Sequence, residues 1–189
     1  MTTTIYFLRH GEVHNPKKIL YGRLLRFKLA AAGCNKIIEA ANYFKKVGVN
    51  YIYTSPLLRA RQSAVIVGSK LKIKPKISVL LTEVNLIFAG VSLDEYHSSI
   101  QANLYSKANI LRGQESIETI AERMMEFVRM IVTKHTGAKV LVVSHGDPIM
   151  ILKAITSGVK FTYQFKKSNY LKTANWLTLE YKNNRYIWK

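Results

Sequence analysis

The most restrictive stretch of the chain is Lys139–Asp147, "KVLVVSHGD", in which an unbroken aliphatic run, Val140–Val143, stops at a serine, a histidine and a glycine. A strand with one wet face alternates apolar and polar residues, whereas a continuous aliphatic run needs cover on both faces. Such a strand belongs inside a largely parallel sheet with helices above and below it. Near the start of the chain, Thr4–Leu8 ("TIYFL") is a second β-branched and aromatic run, and it stops at Arg9, His10 and Gly11. Two buried strands therefore each deliver a histidine, followed at once by glycine, at the carboxyl end.

The segments around them alternate in period. Leu29–Val47 has helical spacing, with Ile37, Ile38, Ala41 and Phe44 assigned to one face, and ends at Gly48. "NYIYTSP" reads as a short strand stopped by Pro56. The stripe Leu57, Ala60, Ala64, Val67 and Leu71 then predicts a helix with Ser55 as its amino-terminal cap and Pro56 in its first turn. Ile77–Leu81 is expected to be a third strand and Leu93–Tyr105 a helix. Glu115–Lys134 is expected to be the longest helix, burying Ile117, Ile120, Met124, Phe127, Met130 and Ile131, and Pro148–Thr156 a further one. "WLTLEYKNNRYIWK" alternates and turns at Asn183 and Asn184, a hairpin signal. Gly158–Thr173, basic and aromatic, receives no element. The expected fold class is α/β: one domain over residues 1–189, a three-layer α/β/α sandwich with a mostly parallel central sheet and a C-terminal antiparallel hairpin.

Charge narrows the partners only in part. Lysine and arginine number 29 against 11 aspartates and glutamates, a formal charge of +18. Such a field attracts any anion: nucleic acid, acidic membrane or small phosphorylated molecules. The cations are dispersed in pairs such as Lys17 and Lys18 or Lys166 and Lys167, which reads as a solvated surface. No apolar stretch is long enough for a membrane span, and Met1–Thr4 lacks the parts of a signal peptide, so the expected location is the cytoplasm. Cys34 is the only cysteine, which excludes an internal disulfide, and it lies beside no base.

Ligands of open α/β sheets bind beyond the carboxyl ends of the strands. Those ends carry Arg9 and His10, then Ser55 with Arg59 a turn further on, then Ser144, His145 and Gly146; the segment after Val79–Leu81 adds Glu83. If they converge, two imidazoles, two guanidinium groups and a carboxyl share a pocket suited to phosphate. Arginine's planar fork matches phosphate oxygens and stays charged at any working pH. A neutral imidazole can attack phosphorus, and a carboxyl kept protonated by burial can protonate the leaving alkoxide. A zinc site would need three or four close ligands, which the two arginines oppose, and no phosphate-loop or dinucleotide fingerprint is present. Neither metal nor cofactor is expected.

"LRHGE", "SPLLRARQSA", a glutamate some two dozen residues later and "VVSHGD" together resemble the histidine phosphatase superfamily, the group that includes cofactor-dependent phosphoglycerate mutases and many phosphatases. "GQESIETIAER", Gly113–Arg123, is similar to the family's segment before its long helix. The resemblance, spanning roughly Ile5 to Thr156, implies that His10 is the nucleophile, Arg9 and Arg59 the phosphate clamp, His145 a second phosphate-binding histidine and Glu83 the proton donor. Members often carry an asparagine shortly after the nucleophile. Here Asn15 precedes Pro16, and with Gly146 it joins the expected substrate-binding residues.

The implied activity is metal-independent hydrolysis of small phosphomonoesters through phosphohistidine. A cofactor-dependent mutase would use the same site, and a basic polyanion- or nucleic-acid-binding module with a vestigial site is the reading from another class. No nucleic-acid signature supports the last, although "KFTYQFKKSNYLK" interleaves aromatics with lysines. Glu95 is a weaker candidate acid than Glu83. His14 suits either the pocket rim or an ordinary loop, while Arg61, His97 and His135 are expected at the surface. The hairpin, with Trp176 and Trp188, could complete the sheet or pair with a second copy in a homodimer.

Overall fold

Val140–Val143 lies mid-sheet and is fully buried, as its unbroken apolar run demands. The computed structural model describes residues 1–189. Its strands are β1 (Thr3–Arg9), β2 (Tyr51–Thr54), β3 (Lys76–Ile77), β4 (Lys139–Ser144), β5 (Trp176–Lys182) and β6 (Arg185–Trp188), in the spatial order β3-β2-β4-β1-β5-β6. The first four run parallel; β5 pairs antiparallel with β1, and β6 with β5. The helices are α1 (Ala31–Val47), α2 (Leu58–Leu71), α3 (Leu93–Glu95), α4 (Lys107–Leu111), α5 (Ile117–Lys134), α6 (Gly146–Thr156) and α7 (Tyr163–Asn169).

The two faces of the sheet are sorted residue by residue along the strands. Ile5, Phe7, Val140 and Val142 join one core with Met124 and Phe127 of α5 and Ile149 of α6. Tyr6, Leu8, Leu141 and Val143 join a second core with Ile37 and Phe44 of α1 and Ala64 and Val67 of α2. Successive side chains point to opposite faces of a strand, so one apolar run supplies both cores. The result is the expected α/β/α sandwich, and the C-terminal hairpin completes the sheet beside β1.

Several local expectations are corrected. Ser55 is not the cap of α2: that helix begins at Leu58 with Leu57 as its cap residue, and the Ser55 side chain is used elsewhere. Ile77–Leu81 is not one strand, because pairing ends at Ile77 and Val79–Leu81 forms a 3₁₀ turn. Leu93–Tyr105 is broken: α3 passes into a π turn at Tyr96–Ile100 and a 3₁₀ turn at Gln101–Asn103. Helix α6 starts at Gly146, before Pro148, whose missing N–H is harmless in a first turn. Ile38 and Met130 are exposed, each being a chain neighbour of a buried residue, Ile37 or Ile131, and about 100° around the helix from it. His135 is buried, its Nε2 2.9 Å from the Tyr53 hydroxyl and its ring stacked on Tyr51. The unassigned Gly158–Thr173 contains α7.

The pairing that matters most for the site is between β1 and β4. Arg9 is in register with Ser144, and the His10 N–H donates to the Ser144 carbonyl at 3.1 Å. The residues that follow, His10 and His145, leave the sheet side by side.

Candidate active site

His10 and His145 stand at the carboxyl ends of β1 and β4 with ring centroids 5.2 Å apart, and both are essentially inaccessible to solvent, at 1% and 0% exposure. Between them lies Arg59, from the first turn of α2 and itself only 1% exposed. Its Nε donates to His10 Nε2 at 3.1 Å, and its Nη2 lies 3.2 Å from His145 Nδ1 and donates to the Gly22 carbonyl at 2.8 Å. The guanidinium also stacks over Tyr21 at 4.7 Å. Arg9 is held by a donation from Nη1 to the Leu171 carbonyl at 2.8 Å and by the Tyr170 ring at 4.8 Å. Its Nε is the one buried side-chain nitrogen or oxygen without a hydrogen-bond partner.

The contacts of His10 fix its tautomer. Nδ1 lies 2.7 Å from the Gly11 carbonyl, which can only accept, so the ring proton is on Nδ1 and Nε2 carries the lone pair that faces Arg59. Burial, then Arg59 and Arg9, hold the pKa of His10 well below the ordinary imidazole value. Burial and Arg59 do the same to His145. Both rings are therefore neutral at neutral pH. His145 Nε2 is 2.7 Å from Ser55 Oγ, whose rotating hydroxyl can serve either tautomer.

Glu83 completes the cluster, with Oε2 3.7 Å from His145 Nδ1 and 4.0 Å from Arg59 Nη2, and Oε1 accepting from the Val84 N–H. Burial and the nearby Asp147 carboxylate push its pKa up, outweighing the two arginines. The loop that carries it is clamped from behind. Arg23 Nε donates to the Glu83 carbonyl and Arg123 Nη1 to the Leu80 carbonyl, and both arginines are ion-paired to Glu115. Glu115 and Arg123 belong to the "GQESIETIAER" segment noted above, which thus braces the acid.

Sequence reasoning missed a second set of residues. Asp147, in the first turn of α6, forms a buried ion pair with Lys166 of α7 at 2.7 Å and accepts from the Tyr105 hydroxyl at 2.8 Å. Lys166 also donates to the Tyr96 hydroxyl at 3.2 Å. Asp147, Lys166 and Tyr96, with Tyr170, wall a cleft of about 250 Å³ that also touches Arg9 and Glu83. Asp147 was within a quoted motif, but its partner is in the stretch to which no element was assigned.

Of the other expected residues, Asn15 has both ends of its amide engaged by the Ile19 backbone, at 2.8 and 3.2 Å, and closes its own loop. Gly146 is needed for packing: a side chain there would collide with the Tyr170 hydroxyl. At Gly11 an added Cβ would lie 2.7 Å from the Gly33 carbonyl, so that glycine admits α1 close to the loop after His10. His14, Glu95 and Arg61 are exposed and outside the cleft; His97 lies at its rim, 2.9 Å from the Gln101 side chain. No group of three metal-ligating side chains is gathered anywhere.

A sheet whose parallel strands bring two neutral imidazoles and two arginines together at their carboxyl ends defines an α/β protein with a buried, cation-rich cluster. The chain belongs to the histidine phosphatase superfamily (branch 1), whose sequence profile matches residues 5–189. It is 28% identical over 158 residues to the uncharacterized phosphatase PhoE of Bacillus subtilis, covering 82% of this chain and 78% of that one. Among solved structures, Bacillus stearothermophilus YhfR superposes with a TM-score of 0.84 at 22% identity, covering 98% of this chain and 94% of that one. A mycobacterial glucosyl-3-phosphoglycerate phosphatase superposes with a TM-score of 0.80 at 20% identity, covering 100% and 97%. The two structural likenesses establish the shared fold.

Proposed function

We propose that the protein is a metal-independent phosphatase that hydrolyses small phosphomonoesters through a phosphohistidine at His10. The observation that carries this is the His10 imidazole: neutral, protonated at Nδ1, and presenting its Nε2 lone pair to Arg59, with Arg9 near enough to help keep the ring uncharged. In the first step Nε2 attacks phosphorus and the bond to the ester oxygen breaks, while Glu83 gives its proton to the departing alkoxide. Arg59 turns from the two imidazoles to the phosphoryl oxygens, and the unpartnered Arg9 Nε supplies another donor. In the second step water attacks the phosphohistidine, Glu83 takes back a proton, and phosphate leaves with His10 restored. His145 holds a phosphoryl oxygen through Nδ1–H when the Ser55 hydroxyl donates to its Nε2. The positive charge comes from guanidinium groups, so no bound cation is required. The phosphatase named among the relatives supports hydrolysis as the outcome.

The test is chemical trapping. With an alkyl phosphate, the wild type should accumulate an acid-labile phosphoenzyme on rapid quench, and His10→Ala should form none and turn over nothing. Glu83→Gln should slow phosphorylation by an alkyl ester far more than by p-nitrophenyl phosphate, whose leaving phenolate needs no proton. Full activity in His10→Ala, or activity lost in EDTA and restored by a divalent ion, would refute the reading.

A further inference from the structure

The surface of this protein is strongly basic, but the cleft beside His10 is not. Lys166 is the only ammonium group among its lining residues. An ammonium has three donors, and here they are directed to Asp147 Oδ1 at 2.7 Å, Asp147 Oδ2 at 2.8 Å and the Tyr96 hydroxyl at 3.2 Å. Its charge is cancelled and its hydrogen bonds are complete. Arg9 in the cleft wall and Arg59 buried behind it match the two charges of a phosphomonoester, and the remaining titratable groups facing the cleft are Glu83, Asp147, His97 and tyrosines. A second carboxylate or phosphate on the substrate would find no unpaired cation beyond Arg9 and Arg59, because Asp147 and Lys166 are neutral as a pair.

The rest of the wall is uncharged and mostly apolar or aromatic, with Ile19, Leu20, Leu86 and Leu93 beside Tyr21 and Tyr96 and one amide, Gln101. Pockets for drug-sized ligands run to about 300–1,000 Å³; at about 250 Å³ the cleft lies below that range and suits a small alcohol. Resting on the phosphatase reading, we infer that the alcohol half of the substrate is small, electrically neutral and apolar on one side, and that esters with a second anionic group are rejected. The buried Asp147–Lys166 pair is the specificity element, since it places a lysine in the wall while denying its charge to the ligand.

A matched pair isolates the claim: sn-glycerol 3-phosphate and 3-phosphoglycerate differ by a hydroxymethyl in place of a carboxylate. At fixed ionic strength, kcat/KM is expected to favour the neutral ester by about tenfold or more, with benzyl phosphate at least as good as glycerol phosphate. Dissociation constants measured by calorimetry with His10→Ala should fall in the same order. Asp147→Asn frees the Lys166 charge and should shrink the preference about tenfold; Lys166→Met, which leaves Asp147 alone, should widen it. Equal or better use and binding of 3-phosphoglycerate by the unaltered cleft would overturn the inference. If no ester is turned over by the wild type but the binding order holds, the hydrolytic reading fails and the charge selectivity stands.

Discussion

Replacing Arg59 with methionine separates its catalytic contribution from its structural one. Its Nε and Nη2 are the donors aimed at His10 and His145, the rings between which the proposed mechanism places the phosphoryl group. Two charge-assisted hydrogen bonds at about 1.5–3 kcal/mol each give ~3–6 kcal/mol, or about 10²- to 10⁴-fold in kcat/KM. Stability should respond far less. The guanidinium is buried, and replacing a buried ion with an apolar side chain of similar size is often neutral or favourable. Against that, the Gly22 carbonyl loses its donor, so the net change should stay within about 2 kcal/mol. The pH profile gives an independent reading. After burial, Arg59 is the largest cause of the low His10 pKa, so its removal should raise that pKa and move the acid limb of kcat/KM to higher pH. Arg59→Lys keeps the charge without the fork and should recover only part of the rate. Steady-state kinetics from pH 4 to 9 (roughly the span of the imidazole and carboxyl transitions) with urea melts of each variant decide the matter. Activity within about tenfold of wild type, or an acid limb displaced downward, would refute the role assigned to this residue.

Three further outcomes are expected. Gly146→Ala should push Tyr170 off Arg9, raising KM about tenfold and costing ~1–3 kcal/mol in a urea melt; an unchanged KM would show that Tyr170 does not position the clamp. Glu115→Gln leaves Arg23 and Arg123 without their shared carboxylate and should lower stability by about 3 kcal/mol, with a greater fall in kcat on alkyl esters than on p-nitrophenyl phosphate because the Glu83 loop is loosened. His10 and His145 have folded-state pKa values below the unfolded value near 6.5, so their contribution is complete above about pH 6.5 and lost as pH falls; Glu83, raised in the folded state, acts in the opposite direction as a single group. The urea midpoint should therefore drop between about pH 7 and 5, and a His10→Asn, His145→Asn double variant should flatten that slope.

The parts of the site that were legible in the sequence are those fixed by strand ends. An apolar run that stops at Arg9-His10-Gly11 or Ser144-His145-Gly146 signals where a buried strand leaves the sheet, and the register of β1 against β4 does the rest. What stayed hidden depends on pairs distant in the chain. Ser55 looked like a helix cap because the local pattern, serine then proline then an apolar stripe, is that of a cap; its actual partner, His145, is 90 residues away. Lys166 looked like one of many surface lysines, and only Asp147, supplied by α6, makes its burial affordable. The short β3 and the broken turns after Leu93 carry too few buried residues to impose a clear period. His135 seemed exposed because nothing next to it in the chain is aromatic, whereas β2 brings Tyr51 and Tyr53 beneath it.

The His10–Ser144 hydrogen bond has a consequence for how the protein fails under stress. The two imidazoles stand on adjacent central strands, so the spacing of their backbones changes only if the middle of the sheet opens. The Arg9 clamp, by contrast, leans on Tyr170 and Leu171 just after α7, outside the sheet. Partial denaturation should first blunt affinity for the ligand while His10 and His145 keep their spacing, and turnover should vanish only with the fold itself.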